Sequence, residues 1–470
     1  MDIVFQILQI LYVITVLSVA AVVISENKNP VKTVSWVLII VFLPIIGLIW
    51  YLVFGQDITK KYALSRRFYS KLKERPLDEI GTMEEFAYPK QHANLIRLLK
   101  NLDHTPLLGG NDLKIFTHAG EKFDYLLADI ERAEHHIHID YYIIDDDNIG
   151  NTLKNALIRK SLQGVEIRVI YDSFGSRQTS QTFFEDMRKA GIEVEPFLKF
   201  KLPISSRVNY RNHRKIIVID GKVGYVGGMN IADRYIEGMP WGIWRDTHAR
   251  IEGKAVQGLQ SVFFIDWHFV TQTLITSRRY FPELPKFGNI MIQTLSSGPL
   301  QEERRMAHGI LQAIYDARKS IFIQTPYFLP PENMIDALQT AVARGVDVRI
   351  MTSKNSDMSF VHAAARSYMK EMLRAGVKIY FYRKGFMHSK MMLFDDSLTL
   401  LGSVNFDPRS FEHNFEVEAF VYNRSVAKKA KGIFVEDQRD SDRVSLKEWL
   451  KRPFLNRFFE SIMRLFAPIF

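Results

Sequence analysis

The sequence predicts an α/β protein made of two tandem α/β/α domains with pseudo-twofold symmetry, preceded by a pair of N-terminal transmembrane helices. Three observations predict this architecture. Two long uncharged runs open the chain, an internal repeat begins near residue 110, and short β-rich runs alternate with amphipathic stretches of helical spacing inside each repeat. The 470 residues, 47% of them hydrophobic, are sufficient for several domains with buried cores.

The first 55 residues hold two apolar runs, each long enough to cross a bilayer as a helix. Residues 3–25 carry no charge, and a second uncharged run covers residues 36–55. About 20 apolar residues span the roughly 30 Å of hydrocarbon, and Trp50 and Tyr51 suit the headgroup level. The alternatives are a buried core hairpin and a cleaved signal peptide, and Asp2 in place of a basic first segment disfavours the signal peptide.

Basic residues predict the orientation of these helices. Seven Lys and Arg residues lie between positions 60 and 75, whereas the loop between the two runs offers only Lys28 and Lys32. The positive-inside bias therefore places the N-terminus and both large domains on the cytoplasmic side of the cell membrane, in a multi-pass protein. The same basic cluster is expected to lie against anionic lipid.

The composition limits the chemistry. There is no cysteine, which excludes disulfides, thiolate metal sites and a cysteine nucleophile. The 62 Lys and Arg against 52 Asp and Glu give a net charge of +10, which suits an anionic partner such as phospholipid or nucleic acid. Reactive groups must therefore come from His, Lys, Ser and the carboxylates.

The repeat defines the domains. The run "GVEIRVI" from Gly164 is answered by "GVDVRIM" from Gly345, and "AGIEVEPF" near Gly191 is answered by "AGVKIYFY" near Gly376. Such self-similarity is typical of a duplicated unit. The predicted segments are two transmembrane helices (1–55), a juxtamembrane basic segment (56–109), a first domain (110–275), a second domain (285–430) and a C-terminal amphipathic tail (431–470).

Each domain contains one His-x-Lys-x4-Asp motif, "HRKIIVID" in the first and "HSKMMLFD" in the second. Side chains alternate faces along a strand, so the His and Lys point the same way while the Asp, seven residues after the His, points the opposite way. We therefore expect the aspartates to act in a supporting role. The predicted catalytic set is His213, Lys215, Asp220, His388, Lys390 and Asp395.

Both motifs are followed by a glycine-containing turn and an asparagine at the same spacing. Asn230 and Asn405 each lie 17 residues after their histidine, and an amide can donate to an oxygen of a tetrahedral anion. The second copy has Ser403 where the first has Gly228, so a hydroxyl would contact phosphate from one side only. A lone motif is usually a half-exposed pair at a sheet edge, but two copies with identical spacing predict a shared phosphate pocket.

These paired motifs resemble the two HKD motifs of the phospholipase D superfamily, from about residue 110 to 430. Together with the N-terminal hairpin, the runs "WRDTHARIEG", "QTPYFLPP" and "DPRSFEHNFEVEAFVY" resemble its bacterial cardiolipin synthase family. The resemblance implies phospholipase D-type domains and a ping-pong phosphatidyl transfer without metal or cofactor. One histidine attacks a phosphatidylglycerol, the other protonates the departing glycerol, and a second phosphatidylglycerol then accepts the phosphatidyl group to give cardiolipin. The resemblance favours His213 as the nucleophile, although the symmetry of the motifs does not decide.

A nucleophilic imidazole needs a hydrogen-bonded group that orients it, generally a carboxylate. The candidates are Asp246 in "WRDTH" and Glu416 in "HNFEVE", with Glu418 a weaker one. The family resemblance implies that each acts on the histidine of the opposite motif, which pairs Glu416 with His213 and Asp246 with His388.

Other functions stay open at this stage. The same chemistry would serve a phosphatidylserine synthase, a hydrolytic phospholipase D or a phosphodiesterase or nuclease, and a membrane-anchored binding module without turnover is the non-enzymatic alternative. The apolar N-terminal runs favour phosphatidylglycerol and other anionic membrane lipids as partners over nucleic acid. No metal site is predicted, because the histidines of "HHIH" (His135, His136 and His138) lack an acidic partner at ligand spacing. The oligomeric state is left open, and an amphipathic helix after Pro453 would either lie in the membrane interface or dock on the protein.

Overall fold

The computed structural model describes residues 2–25, 30–51, 89–198, 210–299 and 304–467. The basic cluster predicted at positions 60–75 lies outside these residues, as does the loop between the two apolar runs that carries Lys28.

The N-terminal region forms three helices, α1 (Asp2–Ser25), α2 (Pro30–Phe42) and α3 (Pro44–Trp50). The second apolar run is interrupted at Leu43, because the proline that follows excludes the helical conformation there. Within the described residues, no helix combines the length and the apolarity that crossing a membrane requires. The structure therefore does not show the predicted transmembrane hairpin. The second apolar run is too short in each part to span a membrane, because the break before Pro44 divides it into two short helices.

The remaining described residues contain seventeen strands, distributed over two similar halves. Those of the first half are β1 (Leu108–Phe116), β2 (His136–Tyr141), β3 (Glu166–Asp172), β4 (Glu193–Phe197), β5 (Lys215–Ile219), β6 (Val223–Gly227), β7 (Ile243–Arg245) and β8 (His248–Glu252). Those of the second half are β9 (Ile290–Ser297), β10 (Ser320–Gln324), β11 (Asp347–Ser353), β12 (Lys378–Tyr382), β13 (Gly385–Met387), β14 (Met391–Phe394), β15 (Leu398–Gly402), β16 (Glu416–Tyr422) and β17 (Ser441–Arg443).

Fifteen of these strands form one continuous sheet, whose two halves meet where β1 pairs antiparallel with β9. From that junction the order outward is β1-β8-β6-β5-β2-β3-β4 in one direction and β9-β16-β15-β14-β10-β11-β12-β17 in the other. Apart from the added edge strand β17, the two orders correspond strand for strand. This correspondence confirms the predicted α/β fold of two tandem domains with pseudo-twofold symmetry.

Helices cover both faces of the sheet. The first half contributes α4 (Ala93–Asp103), α5 (Ala119–Glu131), α6 (Asn148–Leu162), α7 (Gln181–Lys189), α8 (Arg234–Glu237) and α9 (Val256–Thr271). The second contributes α10 (Arg305–Asp316), α11 (Glu332–Ala343), α12 (Ser359–Ala375), α13 (Pro408–Glu412), α14 (Arg424–Arg439), α15 (Leu446–Leu450) and α16 (Phe454–Leu465). Along β5, Ile217 packs with the core under α5 to α7, whereas its neighbours Ile216 and Val218 pack with the core under α9, so both faces are buried.

The glycines of the repeat signatures end helices. Gly164 and Gly345 follow α6 and α11 with φ of 92° and 88°, and Gly191 and Gly376 follow α7 and α12 with φ of 86° and 96°. This left-handed conformation favours glycine at a helix C-terminus. After each glycine the chain enters the next parallel strand. The signature recurs in both halves because each half uses the same helix end followed by the same strand.

The predicted segment boundaries cut across some elements. α4, which precedes the first predicted domain, packs on the second half, where Asp103 forms an ion pair with Arg305 at 2.6 Å. The boundary at residue 431 falls inside α14, and β17 beyond it pairs with β12. α16 docks on α12, so the C-terminal residues are part of the second half's outer layer.

Candidate active site

Two short backbone contacts join the halves at the motifs. β7 pairs in parallel with β13, and the amide of His388 donates to the carbonyl of Arg245 at 2.7 Å. On the other side, the amide of His213 donates to the carbonyl of Phe415 at 3.0 Å. Each histidine is thus held beside the residue that directly precedes an acidic residue of the opposite half.

Those acidic residues contact the histidines. His213 Nδ1 lies 3.0 and 3.1 Å from the two carboxylate oxygens of Glu416, and His388 Nδ1 lies 2.6 Å from Asp246 Oδ2. All four side chains are buried. When Nδ1 donates to a carboxylate, Nε2 is left with a lone pair that can attack or accept a proton. The arrangement therefore presents two imidazoles with the same tautomer, each fixed by the other half.

The carboxylates stay ionised in this environment. Burial would raise the pKa of Glu416, but His213 and Lys215 outweigh it and hold that pKa below its usual value. Burial would likewise raise the pKa of Asp246, and Lys390 and His388 lower it overall. Ionised carboxylates can stabilise an imidazolium formed during a proton transfer.

The two lysines are fully buried beside the histidines. Lys215 Nζ donates to the carbonyl of His213 at 2.6 Å, and Lys390 Nζ donates to the carbonyl of His388 at 2.5 Å. Burial lowers the pKa of Lys215 to about 7, although Glu416 opposes the shift. Burial also lowers the pKa of Lys390. The lysines therefore concentrate positive charge in a dry pocket, where it acts strongly on an anion.

Both histidines are neutral at pH 7 in the ligand-free protein. Burial lowers the pKa of His213 to about 4, even though Glu416 favours the charged form. Burial and then Lys390 lower the pKa of His388 to about 3, against the effect of Asp246. A neutral imidazole is the form that a nucleophile needs. The histidine that acts as an acid must gain its proton when an anionic substrate offsets the lysine charges.

The motif aspartates, grouped with the catalytic residues in the prediction, lie away from the histidines. Asp220 follows the far end of β5 and accepts the backbone amides of residues 134, 135 and 136 at 2.8–2.9 Å. Asp395 accepts the amides of residues 318, 319 and 320 at 2.7–3.2 Å in the same way. Both have a positive φ, 54° and 51°. They anchor the loops before β2 and β10, which is the supporting role expected from strand parity.

The three predicted phosphate ligands occupy different environments. Asn230 Nδ2 donates to the hydroxyl of Tyr235 at 2.5 Å, and the buried Oδ1 of Asn405 has no hydrogen-bond partner within the described chain. Ser403 does not fit its predicted role, because its hydroxyl donates to Glu416 and accepts the amide of Val417 at 3.0 Å. Ser403 therefore positions Glu416 instead of facing a phosphate.

Sequence reasoning missed two buried arginines that support the site. Arg245 reaches Asp437 with bonds of 3.0 and 2.7 Å and so fixes the residue before Asp246. Arg214 donates to Asp266 and also to the carbonyls of Glu416 and Ser297 at 3.1 and 3.0 Å. Arg214 occupies the variable position of "HRK" and has the same strand parity as the apolar Ile216 and Val218. A charged residue on an otherwise apolar face was the available signal.

Two neutral imidazoles, each with a buried lysine beside it, suit displacement at a phosphodiester. Among the described residues, no group of three or more His, Asp or Glu side chains has an arrangement that could hold a metal ion. The lysines supply fixed positive charge where negative charge would develop on phosphoryl oxygens.

Comparisons with known proteins agree with this geometry. The family model described as "Cardiolipin synthase, PLD-like domain" matches residues 126–240 and 310–438, one match in each half. A second model, described as "Phospholipase_D-nuclease N-terminal", matches residues 10–56.

Relatives match over the whole chain. The major cardiolipin synthase of Bacillus subtilis (strain 168) is 38% identical over 475 residues, which cover 98% of both chains. A cardiolipin synthase of Listeria monocytogenes serotype 4b is 38% identical over 481 residues and 100% of both chains. The crystal structure of phosphatidylserine synthase from Haemophilus influenzae Rd KW20 shares the fold, with a TM-score of 0.62 at 15% identity over 80% of this chain and 98% of that one. With both halves matched by the domain model and relatives of this similarity along its full length, the chain belongs to the cardiolipin synthase family of phospholipase D-like proteins.

Proposed function

We propose that the protein transfers a phosphatidyl group from one phosphatidylglycerol to another and releases glycerol, which makes it a cardiolipin synthase. The observation that carries the proposal is the crossed pair of hydrogen bonds, His213 with Glu416 and His388 with Asp246, around two buried lysines. This arrangement offers two equivalent imidazoles to one phosphorus. The named relatives supply the substrate class.

In the first step, Nε2 of one histidine attacks the phosphorus of phosphatidylglycerol. The phosphorus–oxygen bond to the headgroup glycerol breaks, and the other histidine gives its proton to the leaving oxygen. A phosphatidyl-histidine and free glycerol result. Lys215 and Lys390, with Asn230 and Asn405, would stabilise the charge on the phosphoryl oxygens.

In the second step, the histidine that gave its proton accepts one from a headgroup hydroxyl of a second phosphatidylglycerol. That oxygen attacks the phosphorus and the phosphorus–nitrogen bond breaks, which yields cardiolipin and restores both imidazoles. Family resemblance favours His213 as the nucleophile. The carboxylates keep both rings in the tautomer that the two steps require.

The direct test is to incubate the purified protein with phosphatidylglycerol labelled in its headgroup or in its phosphatidyl part. We expect labelled glycerol in the first case and cardiolipin labelled in both phosphatidyl groups in the second, in equal amounts. His213→Ala and His388→Ala should each abolish both products. Phosphatidic acid as the main product would indicate a hydrolytic phospholipase D. Phosphatidylserine formed from added serine and a cytidine-activated lipid together would indicate a phosphatidylserine synthase.

We also propose that the N-terminal hairpin inserts into the cell membrane and that the catalytic halves lie on its cytoplasmic side. In support, most described apolar side chains of α1 to α3 are exposed, for example Ile10, Leu17 and Phe42 at 59%, 64% and 76%. Exposed apolar surface of this extent is stable in lipid. The basic residues that follow the hairpin in sequence favour the cytoplasmic side.

The C-terminal helix supports a second membrane contact. α16 docks through its polar face, where Glu460 binds Arg366 at 3.0 Å and Arg452 at 2.6 Å. Met463 packs against the core, but most of the other apolar side chains of α16 face outward, with Leu455 and Leu465 exposed at 75% and 76%. Exposed lysines flank it at positions 447 and 451. An outward apolar face next to basic residues suits the interface of an anionic bilayer. Docking on the protein and contact with the membrane, the two alternatives for this helix, are therefore compatible.

A further inference from the structure

A group of arginines lies beside the catalytic residues on the His213 side. The ring of Tyr142 stands 5.1 Å from the imidazole of His213, and Lys215 Nζ lies 5.2 Å from the same ring. The hydroxyl of Tyr142 has no hydrogen-bond partner among the described residues, and three arginines act on it electrostatically. These are Arg177, Arg211 and Arg409.

The arginines are close to one another. The guanidinium carbons of Arg211 and Arg177 lie 4.3 and 4.6 Å from the ring centroid of Phe174. Arg211 is only 7% exposed and donates to the carbonyl of Tyr210 at 2.9 Å. Burying a charge is costly unless an opposite charge balances it. Arg211 is the buried member of the cluster, so an anion bound beside it would offset the cost of its burial.

Arg177 and Arg211 have no direct ion pair within the described part of the chain. Asp172, whose charge acts on Arg211, directs its oxygens to the backbone amides of Phe174, Gly175 and Asn212 at 2.9, 2.8 and 3.0 Å. Burial lowers the pKa of Arg211, and Arg409 and Arg177 add to that effect while Asp172 opposes it.

The His388 side has the opposite character. The rings of Tyr235, Trp244 and Phe386 surround His388 at 6.0, 5.2 and 5.4 Å. Carboxylates of Asp357 and Asp407 act on Lys390 there. Arg234 also lies on this side, 5.7 and 5.9 Å from the ring centroids of Tyr235 and Trp244, but it is paired with Asp145 at 2.5 Å. The two sides therefore differ in how their arginines are paired, and a second anion is favoured near His213.

We propose that Tyr142, Arg177, Arg211 and Arg409 form a second phosphodiester subsite, which binds the phosphate of the acceptor phosphatidylglycerol. The inference rests on the proposed function and deepens it. Each phosphatidylglycerol has one phosphodiester, and that of the donor must lie between the histidines. In cardiolipin the two phosphodiesters are joined by a single glycerol, so the acceptor's phosphate must lie next to the reaction centre. The subsite would therefore select a phospholipid over a simple alcohol as acceptor.

Two reactions of the full-length protein test the subsite. Cardiolipin formation needs the acceptor's phosphate, whereas incorporation of labelled glycerol into phosphatidylglycerol passes through the same phosphatidyl-histidine with an acceptor that has no phosphate. We expect Arg211→Gln to slow cardiolipin formation by about 10- to 100-fold, the range for a lost charge-assisted contact. Glycerol incorporation should change by less than about threefold.

Two further variants keep the test decisive. Arg177→Gln removes an exposed side chain that no buried contact depends on, and it should show the same selective loss to a smaller degree. Arg132→Gln, a remote side chain exposed at 79%, should change neither rate. Equal loss of both reactions in Arg177→Gln, or unchanged cardiolipin formation in both cluster variants, would overturn the subsite while the proposed function stands. Absence of both reactions in the unaltered protein would overturn the proposed function and the subsite with it.

Discussion

At the scale of single residues, the site depends on contacts that cross between the halves. Glu416 and Asp246 each fix a histidine from the opposite repeat. The two pairs are alike in their carboxylate bond but differ in the lysine. Lys390 Nζ lies 2.9 and 3.2 Å from Nδ1 and Nε2 of His388, whereas Lys215 Nζ donates to the carbonyl of His213. The difference in role between the two histidines must come from the groups that surround each one and from the order in which they act.

Trapping the covalent intermediate should identify the nucleophile. A phosphorus–nitrogen bond is labile in acid, so rapid alkaline quenching with phosphatidyl-labelled substrate should preserve it. If His213 attacks, a substrate with a better leaving group should still label His388→Ala, because that leaving group needs no acid. His213→Ala should not be labelled by any substrate. Label found on His388 would reverse the roles, and turnover without label in any variant would indicate direct transfer between the two lipids.

The lowered pKa of Lys215 predicts a loss of activity in mild alkali. In the ligand-free protein this pKa is about 7 instead of its ordinary 10.5, so the ammonium is charged below pH 7 and neutral above it. If the charge stabilises phosphoryl oxygens, kcat/KM should fall roughly tenfold per unit as pH rises through about 7. The Lys215→Arg protein should have a lower kcat/KM than the unaltered protein, but this kcat/KM should stay constant to higher pH because arginine remains charged. A kcat/KM of the unaltered protein that stays level to pH 9 would contradict the role.

At the scale of elements, short pairings outside the main strands align the site. The three-residue strands β7 and β13 pair in register, with Met387 opposite Arg245. Their pairing sets the positions of Asp246 and His388, which follow directly in sequence. A shift by one residue would turn these side chains to the opposite face. The pairing of these two strands therefore fixes where His388 lies relative to Asp246.

α16 provides a prediction at the same scale. Because the chain has no cysteine, Leu455→Cys gives a single site for a nitroxide label. In vesicles that contain anionic lipid, the label should become more accessible to oxygen than to a polar nickel complex, as expected a few ångströms inside the interface. A label at Leu162→Cys, also 75% exposed but on α6, should stay aqueous. Spin–spin broadening that depends on protein concentration would instead indicate that a second copy covers α16.

At the scale of the whole molecule, the two halves form one unit. A single sheet runs through both, and one apolar cluster contains residues of α9 and α14 together with strands of each half, such as Ile216 and Leu401. The halves therefore cannot separate without exposing a shared core. A site built at their junction is held more rigidly than one formed by two independent domains.

Buried neutral histidines predict a loss of stability in mild acid. Burial lowers the pKa of His92, His136, His213 and His362 to about 4 and contributes most to lowering that of His388 to about 3. The unfolded chain binds these protons near pH 6.5, so stability is complete above that pH and falls as pH decreases toward 4. Each histidine contributes about 1.4 kcal/mol per pH unit in this window.

Thermal unfolding between pH 7 and 5 measures this effect. We expect a steadily decreasing Tm, and a shallower decrease in His362→Gln, which removes one of these buried groups from outside the catalytic set. The exposed Arg132→Gln should reproduce the original slope. A Tm that is constant over this range would show that these histidines are protonated without cost in the folded protein.

The sequence by itself determined the features that depend on periodicity and spacing along the chain. The repeat predicted two tandem α/β domains, strand parity placed the motif aspartates away from the histidines, and the paired motifs with their flanking runs predicted the family, which the full-length relatives confirm. These patterns are local, because strands and helices impose their periods on neighbouring residues.

Tertiary structure alone decided which side chains meet. Ser403 was expected at the phosphate but binds Glu416, the second apolar run is broken at Leu43, and Arg245 finds Asp437 across 192 positions of sequence. Arg177 and Arg211, 34 positions apart in sequence, likewise both lie over the ring of Phe174. Contacts of this kind are selected by packing and charge balance among residues far apart in the chain, and no local period encodes them.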